Sequence, residues 1–162
     1  MSQPKRPPGP RYHALLQLLR TAESLWNASR IFFERWELSP SQFNVLNLLS
    51  SQPEGCTQIE LSRQLIMHRS NLTGLLDRLE ARGLAQRRDE KSDRRAYRVM
   101  LTPAGRKLLR EILPQYHETA ERVWGKISPT RARRLAAELE TLVFNAERLV
   151  EPTGKRPNKG TP

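Results

Sequence analysis

The sequence is poor in cysteine, histidine and long apolar runs, and each scarcity removes a class of function. A single cysteine, Cys56, rules out an internal disulfide framework and makes a reducing cytoplasm the expected setting. The three histidines, His13, His68 and His117, are dispersed and share no metal-ligand spacing with Cys56, so no metal site is expected. No apolar run is long enough to cross a bilayer, and the first residues lack the apolar stretch of a secretory leader. Neither a phosphate-cradling glycine loop nor a defensible Ser/His/Asp arrangement is present, so neither an enzyme nor a bound cofactor is expected.

What the chain does have is positive charge. Its 28 Lys plus Arg against 17 Asp plus Glu leave a formal net charge of +11. Such a surplus suggests an anionic partner, nucleic acid first and an acidic membrane surface second. Its 162 residues suit one body. Residues 1–10 and 151–162, rich in Pro, Gly and basic residues, read as tails around a body at 11–150.

Within the body, helix starts are marked. Ser39-Pro40-Ser41-Gln42 places a capping hydroxyl before a first-turn proline, Thr57-Gln58-Ile59-Glu60 reads as a capping box, and Thr102-Pro103 and Ser128-Pro129 repeat the cap-then-Pro order. Apolar spacing predicts helices over about 12–36, 40–50, 58–65 (with Ile59, Leu61 and Leu65 inward), 69–82, 103–126 and 129–150. Pro114 inside the fifth is expected to kink it. Between the fourth and fifth, Leu84–Arg88 and Tyr97–Leu101 read as short strands around a polar tip at 89–96. A short helix pair followed at once by a hairpin is the winged helix-turn-helix arrangement, here mainly α (α-α-α-α-β-β-α-α).

The fourth helix has the character of a reader. Leu72, Leu75, Leu76 and Leu79 assign one face to the core, leaving Ser70, Gly74, Asp77 and Ala81 opposite, flanked by Asn71 and Thr73. Arg69 can bond guanine, Asn71 suits adenine, and Ser70 or Thr73 can contact bases or phosphates. An interior glycine costs about 1 kcal/mol against alanine, so Gly74 calls for an offset: a close groove floor or a tight helix contact. The competing reading is a solvated polar face. The stretch Arg87-Arg88-Asp89-Glu90-Lys91-Ser92-Asp93-Arg94-Arg95 packs five cations into nine residues, which suits either a minor-groove probe or a salt-bridged exposed turn.

LDRLEARGLAQRRDEKSDRRAYRVMLTPAG (Leu76–Gly105) resembles the signature of the multiple antibiotic resistance regulator (MarR) family, and ELSRQLIMHRSNLTGLLDRLE (Glu60–Glu80) is similar to that family's reading unit. The resemblance covers essentially the whole body. It implies an obligate homodimer built from the terminal helices, about 11–37 and 103–150, around a reading domain at about 39–101. It also implies double-stranded DNA as partner, with the fourth helix in the major groove and Arg94 in the minor groove. The implied DNA contacts are His68, Arg69, Ser70, Asn71, Thr73, Arg94 and Arg95. One departure stands in the turn of the helix pair, where Ile66 and His68 replace the family's Gly and Ser/Thr cap, and His caps less well than Ser.

The terminal helices are too apolar for a monomer's surface, which independently predicts a second copy. Two-fold symmetry would set the two reading helices about 34–36 Å apart on a pseudo-palindrome. Many members of the family are repressors released by a small aromatic or phenolic ligand. Trp26, Phe33, Trp36, Phe43 and Tyr116 are the candidates for such a pocket, with ordinary core packing as the competing reading. Cys56 precedes the third helix, whereas the family's peroxide sensors carry theirs near the first; a small buried residue is the expectation. The sequence therefore predicts a sequence-specific regulator, with a non-specific architectural DNA-binding protein as the alternative, and no membrane association.

Overall fold

A computed structural model describes residues 9–65, 69–90 and 93–150, with the backbone alone for 69, 70, 90, 93–96 and 150. The elements are α1 (Pro10–Phe33), a 3-10 turn (Glu34–Trp36), α2 (Pro40–Ser50), β1 (Cys56–Thr57), α3 (Gln58–Gln64), α4 (Arg69–Ala81), β2 (Ala85–Glu90), β3 (Asp93–Leu101), α5 (Pro103–Trp124) and α6 (Pro129–Val150). They divide into two compact units between Ile112 and Leu113.

In the first unit the caps written in the sequence form. The Ser39 and Gln42 side chains each accept from the other residue's backbone N–H, at 3.2 and 2.8 Å, and Thr57 and Glu60 do the same at 3.2 and 2.7 Å. Both are reciprocal capping boxes, satisfying two amides that a helix start leaves without partners. The Thr102 hydroxyl accepts from the Gly105 amide and donates to the Gly83 carbonyl, joining the start of α5 to the end of α4. That end is closed by Gly83 at φ +66, with the Leu84 amide on the Leu79 carbonyl and the Gly83 amide on that of Glu80. This is a Schellman motif, and glycine takes its left-handed position without Cβ strain.

The core of this unit gathers Phe33, Phe43, Val45, Leu46, Leu49, Leu61, Leu72, Leu76, Leu79, Val99, Leu109 and Ile112, all nearly inaccessible. Each such side chain contributes roughly 1.5–3 kcal/mol. Phe33 stacks on Phe43 with ring centroids 4.3 Å apart. Leu72, Leu75, Leu76 and Leu79 of α4 all point into this core, as their spacing predicts.

The structure corrects several details. The first helix starts at Pro10, and its last three predicted residues tighten into a 3-10 turn ending at Glu37, φ +54. The fifth helix ends at Trp124, ahead of Gly125 at φ +55. Ile59 is half-exposed, not inward, because α3 buries Leu61, and residues two apart on a helix lie about 200° around it. The sheet has three strands in the order β1-β3-β2, all antiparallel; the unforeseen β1 pairs Cys56 with Val99 and Thr57 with Arg98. β2 and β3 also reach further into the polar tip than apolar alternation indicated, pairing Asp89 with Tyr97 and Glu90 with Asp93. The backbone ladder forms there whatever the side chains. The register shifts between Asp89 and Glu90, and Arg94, Arg95 and Ala96 fall inside that irregularity.

The second unit comprises α5 from Leu113, with Pro114 inside it, and α6. Pro114 has no amide hydrogen for the helix ladder. No described residue of α6 is buried, and Leu142, Val143, Phe144 and Leu149 are among its exposed apolar side chains.

Candidate nucleic-acid interface

α4 presents two polar sides around its buried leucine face. The side carrying Thr73, Asp77 and Glu80, at i, i+4 and i+7, is turned to the hairpin of β2 and β3. Arg87 of β2 donates to Asp77 Oδ1 at 2.6 Å and to Glu80 Oε2 at 2.5 Å, while its backbone N–H donates to Glu80 Oε1 at 2.9 Å. Its guanidinium also lies 5.1 Å from the centroid of the Tyr97 ring on β3. Burial works against the Arg87 charge, but the bonds to Asp77, Glu80 and Tyr97 outweigh it and hold the group above its ordinary pKa. The wing is thereby fastened to α4 through Arg87 of β2, whose guanidinium packs against Tyr97 of β3.

The other polar side carries Asn71 and Arg78, both exposed, with the half-buried Gly74 between them. A Cβ built on Gly74 would meet only the Arg78 Nη2 at 3.8 Å. No packing within the described structure requires a glycine here. Of the two offsets considered for Gly74, no tight contact forms among the described residues, which favours close approach by a partner.

The predicted DNA contacts distribute as follows. Asn71 and Thr73 are exposed on α4, although the Thr73 hydroxyl already accepts from Gln58 Nε2. Arg69 and Ser70 open α4, and Arg94 and Arg95 lie in the irregular stretch of β3; their side chains lie outside the described residues, as does His68 altogether. Among the five cations of the tip segment, Arg87 is engaged internally and Arg88 is exposed. Nearby Arg98 donates to the carbonyls of Glu54 and Gly55, pinning the turn ahead of β1.

The predicted aromatic candidates are distributed over the two units. Phe33 and Phe43 are core residues stacked on each other, and Trp36 is buried with its Nε1–H donating to Glu111 Oε1 at 2.7 Å. Trp26 is half-exposed on α1, and the half-buried Tyr116 belongs to the second unit. Arg35 stacks 3.8 Å from the Trp36 ring centroid, and Arg82, just past α4, donates to the Trp36 and Glu37 carbonyls at 3.0 and 2.6 Å. Sequence reasoning missed Gln58, Arg82, Arg87 and Tyr97 as organisers of the site. Nothing in local composition distinguishes a cation paired across elements from a free one.

Cys56 is buried, and burial, reinforced by Glu60 and opposed by Arg98, pushes its thiol pKa up. That disfavours the thiolate and its chemistry. Among the described residues no group of three or more His, Cys, Asp or Glu could hold a metal ion, and no helix is long and apolar enough to cross a membrane.

A helix pair whose second member is backed by leucines and flanked by a three-stranded wing defines a winged helix-turn-helix protein. Residues 36–96 match the family model described as MarR family. The chain is 30% identical over 120 residues to the Escherichia coli HTH-type transcriptional regulator PapX, covering 73% of each protein. It is 36% identical over 99 residues to the transcriptional repressor MprA of Escherichia coli K12, covering 60% of this chain but only 56% of that relative. It thus spans little more than half of MprA's length. The solved structure of Bordetella bronchiseptica BpsR, whose DNA binding is regulated by 6-hydroxynicotinic acid, superposes with a TM-score of 0.69 at 28% identity, covering 78% of this chain and 91% of that one. The chain belongs to the MarR family.

Proposed function

We propose that this protein is a sequence-specific DNA-binding regulator of transcription. The observation that carries the reading is the Asn71–Gly74–Arg78 side of α4, beside a wing locked to the same helix. Asn71 and Arg78 are exposed there, and a Cβ on the half-buried Gly74 would meet only the tip of Arg78 among the described residues. A slim face can approach a major-groove floor, where Asn71 offers a bidentate amide to adenine. Arg69, Ser70 and Thr73, with His68 just before them in sequence, are its proposed companions in the major groove, and Arg94 and Arg95 of the wing segment are the proposed minor-groove contacts. The relatives' names support regulation, and MprA's supports repression.

The active form is a homodimer on a pseudo-palindromic site. Half-exposed Leu15, Leu19 and Trp26 on α1, and an α6 with no buried described residue, support this: each helix carries an apolar face that water should not hold. A small aromatic ligand is the proposed releasing signal, on the precedent of BpsR. Trp26, Phe33, Trp36, Phe43 and Tyr116 are its candidate contacts, Trp26 being the most exposed of them. Titrating 6-hydroxynicotinic acid against tryptophan fluorescence, then against the DNA complex, tests that part.

The central test is selection of bound duplexes from a random pool, followed by titration of Asn71→Ala and Arg94→Ala. A recovered motif, with each variant weakening binding by roughly 1–3 kcal/mol, supports the reading. Recovery of no motif, with affinity governed by salt alone, favours the architectural alternative.

A further inference from the structure

α3 begins at Gln58, where β1 passes the chain from the sheet edge into a helix. This residue is flanked by β3 on one side and α4 on the other, and its amide is engaged at both ends. The Tyr97 hydroxyl donates to Gln58 Oε1, and Gln58 Nε2 donates to Thr73 Oγ1 at 2.5 Å. Tyr97 belongs to the wing and Thr73 to α4, the two elements proposed above to enter adjacent grooves.

The position of this bridge along α4 matters. Arg87 ties the wing to Asp77 and Glu80 in the C-terminal half of the helix. A tie at one end leaves a pivot. Thr73 lies seven residues before Glu80, about 10 Å along the axis, so a second tie there stops the pivot. It acts on the half of the helix that carries Asn71.

We propose that Gln58 is a positioning residue for DNA recognition, its amide bridging Tyr97 and Thr73 to set the angle between wing and reading helix. The role rests on the DNA-reading function proposed above. It makes a distinctive prediction, because a residue that sets an angle matters only when wing and helix must both fit their grooves. Binding to arbitrary sequence, where backbone contacts can shift, should be nearly indifferent to it.

The test uses Gln58→Met, which keeps the side chain's length but not its bonds, and Tyr97→Phe, which keeps the ring under Arg87 and removes only the hydroxyl. Each single variant and the double variant are titrated against a duplex selected by the wild-type protein and against a scrambled duplex of equal length. Each single change should weaken binding to the selected duplex by about fivefold, the equivalent of one hydrogen bond, with less than about twofold on the scrambled one. The double variant should be no weaker than the worse single, because both remove one unit. Multiplying losses, equal losses on both duplexes, or no loss would overturn the positioning role while leaving DNA reading intact. A wild-type protein that discriminates no sequence would instead overturn the DNA-reading function, and the positioning role with it.

Discussion

Gly74 is the residue where stability and function are set against each other. It sits mid-helix, where glycine costs about 1 kcal/mol against alanine, and among the described residues the space beside it holds only the tip of Arg78. Gly74→Ala should therefore raise the free energy of unfolding by about 0.5–1 kcal/mol in urea denaturation while weakening DNA binding roughly tenfold, since an added methyl holds the helix off the groove floor. Better stability with unchanged affinity would show that no ligand approaches this face. Cys56 illustrates the opposite case, a side chain whose chemistry is suppressed by its site. Buried, with its thiol pKa raised, it should react with an aromatic disulfide reagent at neutral pH far more slowly in the native protein than in urea. Comparable rates would mean that the edge around β1 opens freely.

At the scale of elements, the capping boxes and the wing fastening do different work. A cap acts locally, so Ser39→Ala, which removes the hydroxyl accepting from the Gln42 amide, should cost about 1 kcal/mol of stability. Measured by urea denaturation, that loss should come with little change in DNA affinity, because α2 contributes to the core rather than to the exposed side of α4. The fastening acts between elements. Arg87 draws together two carboxylates of α4, and Gln58 joins α3, α4 and β3. Together they tie helix and wing at two points along α4.

The whole molecule poses a question that one chain does not answer by itself. Val143 and Phe144 lie more than half exposed at 57% each, on a helix with no buried described residue. Val143→Glu removes nothing from the core of the first unit, so that unit should keep its fold. Sedimentation velocity should nevertheless show the wild type as a dimer and the variant shifted toward monomer. The variant should also lose at least about tenfold in affinity for a two-half-site duplex, because two linked half-sites bind with a shared effective concentration. A variant that stays dimeric would move the interface to another apolar face.

The local rules of the chain were legible without coordinates. Ser39–Gln42 and Thr57–Glu60 declare their caps, four leucines declare the buried side of α4, and the hairpin follows the helix pair in order. These features depend on spacings of a few residues, and such spacings are written in the sequence. β1 was invisible because a two-residue strand has no period to detect. The side of α4 that faces the wing was invisible for a different reason. Thr73, Asp77 and Glu80 look like any polar stripe until Gln58, Arg87 and Tyr97, brought close by the sheet, take hold of them. Which cations are free to meet an anion, and which are already held by a carboxylate, is a matter of distance between segments remote in sequence, and only the tertiary structure supplies that distance.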